Sequence, residues 1–389
     1  MEPIRLWSIG VSVYRVPIET PVQTSFGVLR DRAAVVVHMI DEDGCEGWGE
    51  IWCNFPTVGA EHRAGLLAET VAPLALSRAW ACPADCYEAL TAAVRILAIQ
   101  SGEPGPLAQV VAGVDIAMWD LAARRAQVPL WRLLGGRSGA VKVYASGLNP
   151  TQPERLAAAK AAEGHTTFKL KVGFGAERDV ANLSSLRSTL GDSVGLMVDA
   201  NQAWDVEEAS MMAERLAAFK PLWLEEPIAA DAPIDDWRRL AHRAPVPLAA
   251  GENLRAGDFA RFLDARCLKV LQPDVAKWGG FTGCLPLAQA AATASAWLCP
   301  HWLGGGIGLL ATLHLKAAIG GEGFAEVDAN RNPLRELLAG EALQVRDGAV
   351  TLPELAGCGA RPELSALAPY LILEHTIKSR QFSKGDKNE

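Results

Sequence analysis

The sequence predicts an α/β protein, a (β/α)8 (TIM) barrel preceded by a smaller α+β domain. Three observations predict it. From residue 140 to residue 330, short apolar strands alternate with helical segments at a regular beat. Ahead of them, residues 3–50 read as strands and residues 60–130 as helices. From Asp199 onward a polar or charged residue closes successive strands, at steps of 26, 27, 22, 27 and 25 residues. A barrel that uses roughly 250 residues for eight units consumes about that many per step.

The opening MEPIRLWSIGVSVYRV has an acid and an alternating pattern, as a first strand does and a signal peptide does not. A polar, glycine-containing segment (TPVQTSFGVLRDR) separates it from AAVVVHMIDEDG and CEGWGEIW, and DEDG is a turn between two strands. Leu66, Val71, Leu74 and Leu76, then Val110, Val114, Met118 and Leu121, recur at helical spacing. After LWRLLGG the beat changes. VKVYASG, TTFKLKVG, VGLMVDAN, PLWLEEP, VPLAAGEN, LKVLQPD, AWLCPHW and FAEVDAN are the eight candidate strands. Neither GxGxxG nor GxxxxGK[ST] occurs to anchor a cofactor at an open-sheet crevice, and HWLGGGIG has the spacing of neither. The expected division is residues 1–130 for the first domain and 131–335 for the barrel. Residues 336–375, with RDGAV as a hairpin, pack back on the first domain, and 376–389 form a frayed, flexible tail.

The 389 residues are half hydrophobic, enough for a large core. Lys and Arg number 37 against 45 Asp and Glu, for a net charge of −8 without a basic cluster. Nucleic-acid binding therefore has no electrostatic footprint. The apolar runs are too short and too polar for a membrane span, and the cytoplasm is the expected compartment. Eight cysteines in a chain this large are read as free thiols.

The ladder of strand-terminal residues carries the chemistry: Lys169, Lys171, Asp199, Glu225, Glu252, Asp274, His301 and Glu326. In a closed barrel all of them arrive at one rim. Any single acid there could be the cap of the helix that follows. Three on consecutive strands, Asp199, Glu225 and Glu252, repel one another unless a cation neutralises them, and oxygen ligands select Mg²⁺. Lys169 and Lys171 share one face of a strand, so each lowers the other's pKa and a neutral lysine base is expected, against the plainer reading of two solvated lysines. Asp274 would hold the tautomer of His301, for which a satisfied structural histidine is the alternative.

The motifs FKLKVG, LMVDAN, WLEEP, GEN, LQPDVAKWGG, CPHW and FAEVD, in this order, resemble the enolase superfamily, specifically its mandelate racemase-like subgroup. The resemblance spans nearly the whole chain and implies a modified barrel with an N-terminal α+β capping domain. It makes Asp199, Glu225 and Glu252 ligands of Mg²⁺, with Mn²⁺ able to replace it. Lys171 and His301 become the two acid/base groups, Lys169 tunes Lys171 and binds a substrate carboxylate oxygen, and Asp274 orients His301. Glu326 resembles the residue that protonates or hydrogen-bonds the enolate, and Asn201 and Lys277 support from behind. Pocket loops of the cap match Thr24 to Arg30 and Trp48 to Arg63, which makes Phe26, Trp52, Asn54, Phe55, His62 and Arg63 candidate pocket residues. The resemblance also implies a homo-oligomer acting on a small-molecule carboxylate.

PHWLGGGIG is unlike the SSHLF form of mandelate racemase and is more similar to members acting on acid sugars and their lactones, galactarolactone cycloisomerase included. Dehydration of an acid sugar to a 2-keto-3-deoxy acid leads the expectations. Cycloisomerisation of an aldarolactone and racemisation or epimerisation of a 2-substituted carboxylate follow. A non-catalytic binding protein is the reading from a different class, and an apolar residue at a ladder position would favour it; none is there.

Overall fold

The computed structural model describes residues 2–255, 257–340 and 343–379. Its strands are β1 (Leu6–Thr24), β2 (Gly27–Asp41), β3 (Glu46–Ile51), β4 (Ala140–Leu148), β5 (Thr167–Lys171), β6 (Gly195–Asp199) and β7 (Leu224–Glu225), then β8 (Leu248–Ala250), β9 (Val270–Leu271), β10 (Trp297–Leu298), β11 (Ala325–Asp328), β12 (Ala349–Thr351) and β13 (Leu371–Lys378). A four-stranded antiparallel sheet runs β13-β1-β2-β3, and a parallel sheet runs β10-β9-β8-β7-β6-β5-β4-β11. The last pairing returns the chain to the first barrel strand. Across the remaining seam, the Glu326 N–H donates to the Pro300 carbonyl at 3.3 Å. A helix follows each of the eight barrel strands, as the alternating pattern predicts.

β1 and β2 form one long hairpin turning on Ser25 and Phe26. The polar segment between them is itself strand, with an irregularity between Pro17 and Val22, because pairing continues past the core to the hairpin tip. The DEDG turn closes as expected: Asp41 Oδ1 accepts the N–H groups of Asp43 and Cys45, and Gly44 takes a φ of 77°.

Pro104–Arg125 is a helix long and apolar enough to cross a bilayer by length and composition, contrary to the reading from apolar runs. Its apolar character is explained inside the protein, because fifteen of its residues are buried. It lies directly on β3. A Cβ on Gly49 would sit 2.2 Å from the Gly113 carbonyl, and one on Gly47 2.3 Å from that of Ala117. The glycines of WGE and CEG therefore set the distance between the cap sheet and its main helix.

The C-terminal segment divides between the two domains. RDGAV is a hairpin, with Asp347 and Gly348 both at positive φ, but β12 pairs with β4 of the barrel instead of with the cap. Only β13 crosses back, pairing with β1 from Ser8 to Tyr14. This corrects the tail expected from residue 376, since Thr376, Ile377 and Lys378 are paired strand residues. Residues 380–389 lie outside the described residues.

Inside the barrel the period of two separates an apolar floor from a charged rim. Tyr144, Met197, Trp223, Ala249, Val270 and Cys299 form a buried cluster, with Phe324 packed against it. Two residues further along their strands come Asp199, Glu225, Gln272, His301 and Glu326. The outward residues Leu196, Val198, Leu224, Leu248, Leu271 and Leu298 pack beneath the helices.

Substituting Gly49→Ala should destabilise the protein by roughly 1–3 kcal/mol, because the helix must lift from β3 to admit the methyl group. Urea unfolding checks this, and an unchanged midpoint would refute the close approach.

Candidate functional site

Register brings the site together. Lys171, Asp199 and Glu225 are Cα partners across β5, β6 and β7, so their side chains enter the mouth at one level. Glu252 lies two residues past β8, where Gly251 lets the chain pass Gln272: a Cβ there would meet the Gln272 backbone at 2.4 Å. Asp274 and His301 follow β9 and β10, and Glu326 is in β11.

Each carboxylate is engaged by a cation. Lys171 Nζ lies 2.5 Å from Asp199 Oδ2. Lys169 Nζ lies 2.6 Å from Glu225 Oε1 and 2.9 Å from Glu326 Oε1. His301 bridges Asp274 at 2.7 Å through Nδ1 and Glu252 at 3.1 Å through Nε2. Asp274 is fixed in turn by the N–H groups of Ala276 and Lys277. Around this core, Gln272 and Trp223 donate to Glu225, and Ser146 donates to Glu326.

The lysine pair behaves differently from the expectation of a neutral base. Burial lowers the pKa of Lys171 and so does Lys169, but Asp199 at contact distance, with Glu225 and Glu252 behind it, prevails and the net shift is upward. Lys169 is likewise raised against its burial by Glu225 and Glu326. The sequence places the lysines two residues apart, whereas only the fold reveals that each has a carboxylate at contact distance.

Among the described residues no three metal-ligating side chains converge closely enough to hold an ion as they stand: Asp199 faces Lys171 and Lys169, Glu225 faces Lys169, and Glu252 faces His301. The charge inventory nonetheless fits a divalent cation. Six carboxyls (Asp199, Glu225, Glu226, Glu252, Asp274 and Glu326) share the rim with four bases (Lys169, Lys171, Lys277 and His301). The surplus appears at two of the acids. Burial, then the charge of Asp199, pushes Glu225 up to about 7. Burial, then Glu252, pushes Glu226 up to about 8. His301 is pushed up to about 10: burial opposes its charge, but Glu252, Glu326 and Asp274 together prevail. An all-carboxylate donor set with excess negative charge suits Mg²⁺.

Above the rim is a cavity of about 270 Å³. Lys171, Asn201, Glu252, Lys277 and His301 form its barrel side, while Phe26, Trp52, Asn54 and Phe55 come from the cap. Asn201 has a φ of 44° and donates its N–H to Asp199 Oδ1 at 2.8 Å. Lys277 Nζ donates to Asn253 Oδ1 at 2.6 Å and lies 4.4 Å from the centre of the Trp52 ring. Two expected pocket residues are elsewhere. His62 pairs with Glu103 at 2.7 Å on the cap surface. Arg63 is buried behind Trp52, donating to Gln109, Gly59 and Phe55, so it shapes the loop without lining the cavity. Helical spacing explains both: residues 59–66 are a helix whose turn faces the cap core.

Sequence reasoning missed Gln202, Asn253 and Leu303 in the lining, and Glu50 beneath it. Glu50, on β3, is 1% exposed and accepts the N–H groups of Gly305 at 2.6 Å and Gly308 at 2.8 Å, at the start of helix Gly306–Ile319. The glycines of HWLGGGIG have their purpose here. A Cβ on Gly305 would meet Glu50, and one on Gly304 or Gly308 would meet the Trp302 ring. The acid before IW was the available signal, since it follows an apolar stretch of a strand that is buried past Glu46.

Two family models match the chain. Residues 8–135 match the mandelate racemase / muconate lactonizing enzyme N-terminal domain, and residues 153–366 match the enolase C-terminal domain-like family. The D-galactarolactone cycloisomerase of Agrobacterium fabrum is 30% identical over 376 residues, covering 91% of this chain and 95% of that protein. A mandelate racemase/muconate lactonizing enzyme of Bordetella bronchiseptica RB50 has a crystal structure similar to this one, with a TM-score of 0.89 and 50% identity, covering 95% of this chain and 99% of that one. The L-talarate dehydratase of Polaromonas sp. JS666, complexed with Mg and L-glucarate, has a TM-score of 0.81 at 27% identity, covering 97% of this chain and all of that one.

Burial, partly offset by the three N–H donors around it, pushes Glu50 up to about 7. Its folded pKa lies above the unfolded one, so its stabilising contribution is full below about 4.5 and is lost as pH rises through 7. Glu50→Gln mimics the protonated acid, and its stability relative to the parent should therefore improve from pH 5 to pH 8. Thermal unfolding at the two pH values measures this; a difference independent of pH would rule it out.

Proposed function

We propose that this chain, which belongs to the mandelate racemase/muconate lactonizing enzyme family of the enolase superfamily, removes the proton α to a substrate carboxylate and forms an enediolate. The observation that carries the reading is the pairing of Lys171 and His301 on one cavity, with Asp199, Glu225 and Glu252 between them at the barrel rim. Proteins of this family named above include a cycloisomerase and a dehydratase, and the chain is accordingly an enzyme, a lyase or an isomerase.

In this reading Asp199, Glu225 and Glu252 hold Mg²⁺, with Mn²⁺ an acceptable replacement in an all-oxygen set. When bound, the ion supplies positive charge to the substrate carboxylate as it becomes an enediolate. Lys169 donates to the same group, and its position between Glu225 and Glu326 fixes the ammonium for that task. Lys171 or His301, in its neutral form, takes the α proton, according to which face presents it. Asp274 orients His301 by accepting from Nδ1, which leaves Nε2 toward the cavity. Glu326, held by Ser146 and the Trp302 N–H, hydrogen-bonds the enediolate when it carries a proton. Asn201 and Lys277 steady Asp199 and the cavity wall.

Dehydration of an acid sugar is the leading outcome. The α proton passes to one base, the β C–O bond breaks, and the opposite acid releases the hydroxyl as water. The enol then tautomerises to a 2-keto-3-deoxy acid. Cycloisomerisation is favoured by one further observation, a cycloisomerase relative matched over 91% of this chain and 95% of its own length at 30% identity. There the ring oxygen leaves in place of water. Return of the proton to the other face would give racemisation or epimerisation. The enzyme in this reading is a homo-oligomer of the cytoplasm.

With the Mg²⁺-loaded protein in D₂O, exchange at the α carbon of a carboxylate substrate is expected by NMR. Lys171→Ala and His301→Asn should each reduce proton transfer at one face by about 10²–10⁴-fold. Chelation should abolish exchange and Mg²⁺ restore it. Absence of exchange or turnover on every hexarate, aldonate and lactone, with metal bound, would reject the assignment.

Asp274→Asn should lower kcat for the His301 face while leaving exchange at the Lys171 face intact, since the substitution acts through the tautomer and charge of the imidazole. Equal loss at both faces would show that Asp274 does not work through His301.

A further inference from the structure

Two cap carboxylates reach the barrel at successive βα units. Glu50 sits at the start of helix Gly306–Ile319, which follows β10 and His301. Asp115, 1% exposed on helix Pro104–Arg125, sits at the start of helix Gly280–Thr293, which follows β9 and Asp274. Its Oδ2 accepts the Thr282 N–H at 3.0 Å, and its Oδ1 accepts the Thr282 hydroxyl at 2.6 Å. That hydroxyl in turn accepts from the indole N–H of Trp119, one turn further along the cap helix, at 2.9 Å. The second glycine of WGG belongs to this contact. Gly280 has a φ of 57°, and a Cβ there would lie 2.3 Å from Asp115 Oδ2.

Both carboxylates depart from one rigid unit. Helix Pro104–Arg125 lies so close on β3 that a Cβ on Gly113 would meet the Ile51 side chain at 2.4 Å and the Glu50 carbonyl at 3.3 Å. Glu50 and Asp115 are therefore held at a fixed spacing, and with them the two helix starts they grip. The contact between Asp274 and His301, at 2.7 Å, bridges the same two units. The turns from Asp274 to Thr282 are ordered throughout. Asp274 accepts the N–H groups of Ala276 and Lys277, the Trp278 N–H returns to the Asp274 carbonyl, and the Gly283 N–H returns to that of Gly279. A displacement of Thr282 is thus passed back to Asp274. A carboxamide could not replace Asp115. Its NH₂ would face a hydroxyl that already accepts from Trp119, and the hydroxyl proton would lose its acceptor.

Resting on the α-proton abstraction proposed above, we infer that Asp115 is a positioning residue for His301. Together with Glu50 it clamps the starts of helices Gly280–Thr293 and Gly306–Ile319, and so sets the separation at which Asp274 meets the imidazole. Lys171 lies outside this clamp, because its level is fixed by the register of β5 on β6. The cap therefore tunes one face of the acid/base pair without touching substrate there.

The test uses the Mg²⁺-loaded full chain in D₂O with hexarates, aldonates and lactones, following α exchange by NMR. Asp115→Asn should lower kcat for His301-face exchange about tenfold, with KM and Lys171-face exchange each within about twofold of the parent. Thr282→Val, which removes the hydroxyl and keeps the N–H contact, should act in the same direction by about threefold. In the Asp274→Asn background Asp115→Asn should add nothing, since both act through the imidazole. In H₂O, the downfield Nδ1 proton of His301 should shift in Asp115→Asn, while the Nε2 proton of His314, in the body of helix Gly306–Ile319, keeps its place. Equal loss at both faces, or full His301-face exchange with the His301 resonance unmoved, would overturn the inference and leave proton abstraction standing. Absence of exchange by the parent on every carboxylate would reject the reading beneath it, and the His301 resonance would still decide the clamp.

Discussion

Lys169 carries its ammonium into the barrel with 1% of its surface exposed, and it stays charged there because Glu225 and Glu326 reach it at 2.6 and 2.9 Å. Removing one partner of such a buried pair costs roughly 3–5 kcal/mol, since the other charge is left without compensation. The interaction joins β5, β7 and β11, three strands spread around the barrel, and so depends on the sheet closing between β4 and β11. Its support from below is apolar: the Tyr144 ring lies 5.3 Å from the ammonium and itself meets Trp223 edge-on. Charged rim and aromatic floor are therefore two layers of one arrangement, set by a two-residue step along each strand.

That step explains how much was legible in the sequence. The eight strands, the ladder from Lys169 to Glu326 and the order of its members could be read because strand-terminal polar residues recur at the length of a βα unit. Partners could not. Nothing in KLK reveals that Asp199 outweighs Lys169 as a neighbour of Lys171, because the contact is set by register between β5 and β6. His62 and Arg63 failed for a related reason. The resemblance places them in one pocket loop with Trp52 and Phe55, but a helix beginning at Gly59 turns them to the surface and into the cap core. Gln272 and Trp223 were in principle readable, since each sits on the inward parity of its strand, yet neither has the charge that draws attention to a site.

The glycine-rich run after His301 illustrates a different limit. Its spacing excludes a phosphate loop, and the sequence alone offers no other use for it. In the fold these glycines make room for Glu50 arriving from the cap and for the ring of Trp302. A carboxylate at a helix N-terminus is favourable in itself. Here it also fixes the height of the cap above the segment that carries His301, because Glu50 hydrogen-bonds β3 to the start of helix Gly306–Ile319. The short approaches at Gly47 and Gly49 hold β3 on its helix from the other side.

Position of the cap and character of its wall are thus controlled by different residues. Glu50 and the β3 glycines fix where the wall stands, while the Phe26 tip is pinned to the barrel beside it by Ser25, whose hydroxyl donates to the Asn201 carbonyl at 2.8 Å. Asn201 in turn holds Asp199. The hairpin tip is therefore linked to the rim through backbone and a hydroxyl, and the exposed ring of Phe26 has no part in that link. Substitution at the ring can alter what the cavity accepts without moving an acid, a lysine or the histidine. The barrel rim has no such freedom, because each of its charged groups is the partner of another.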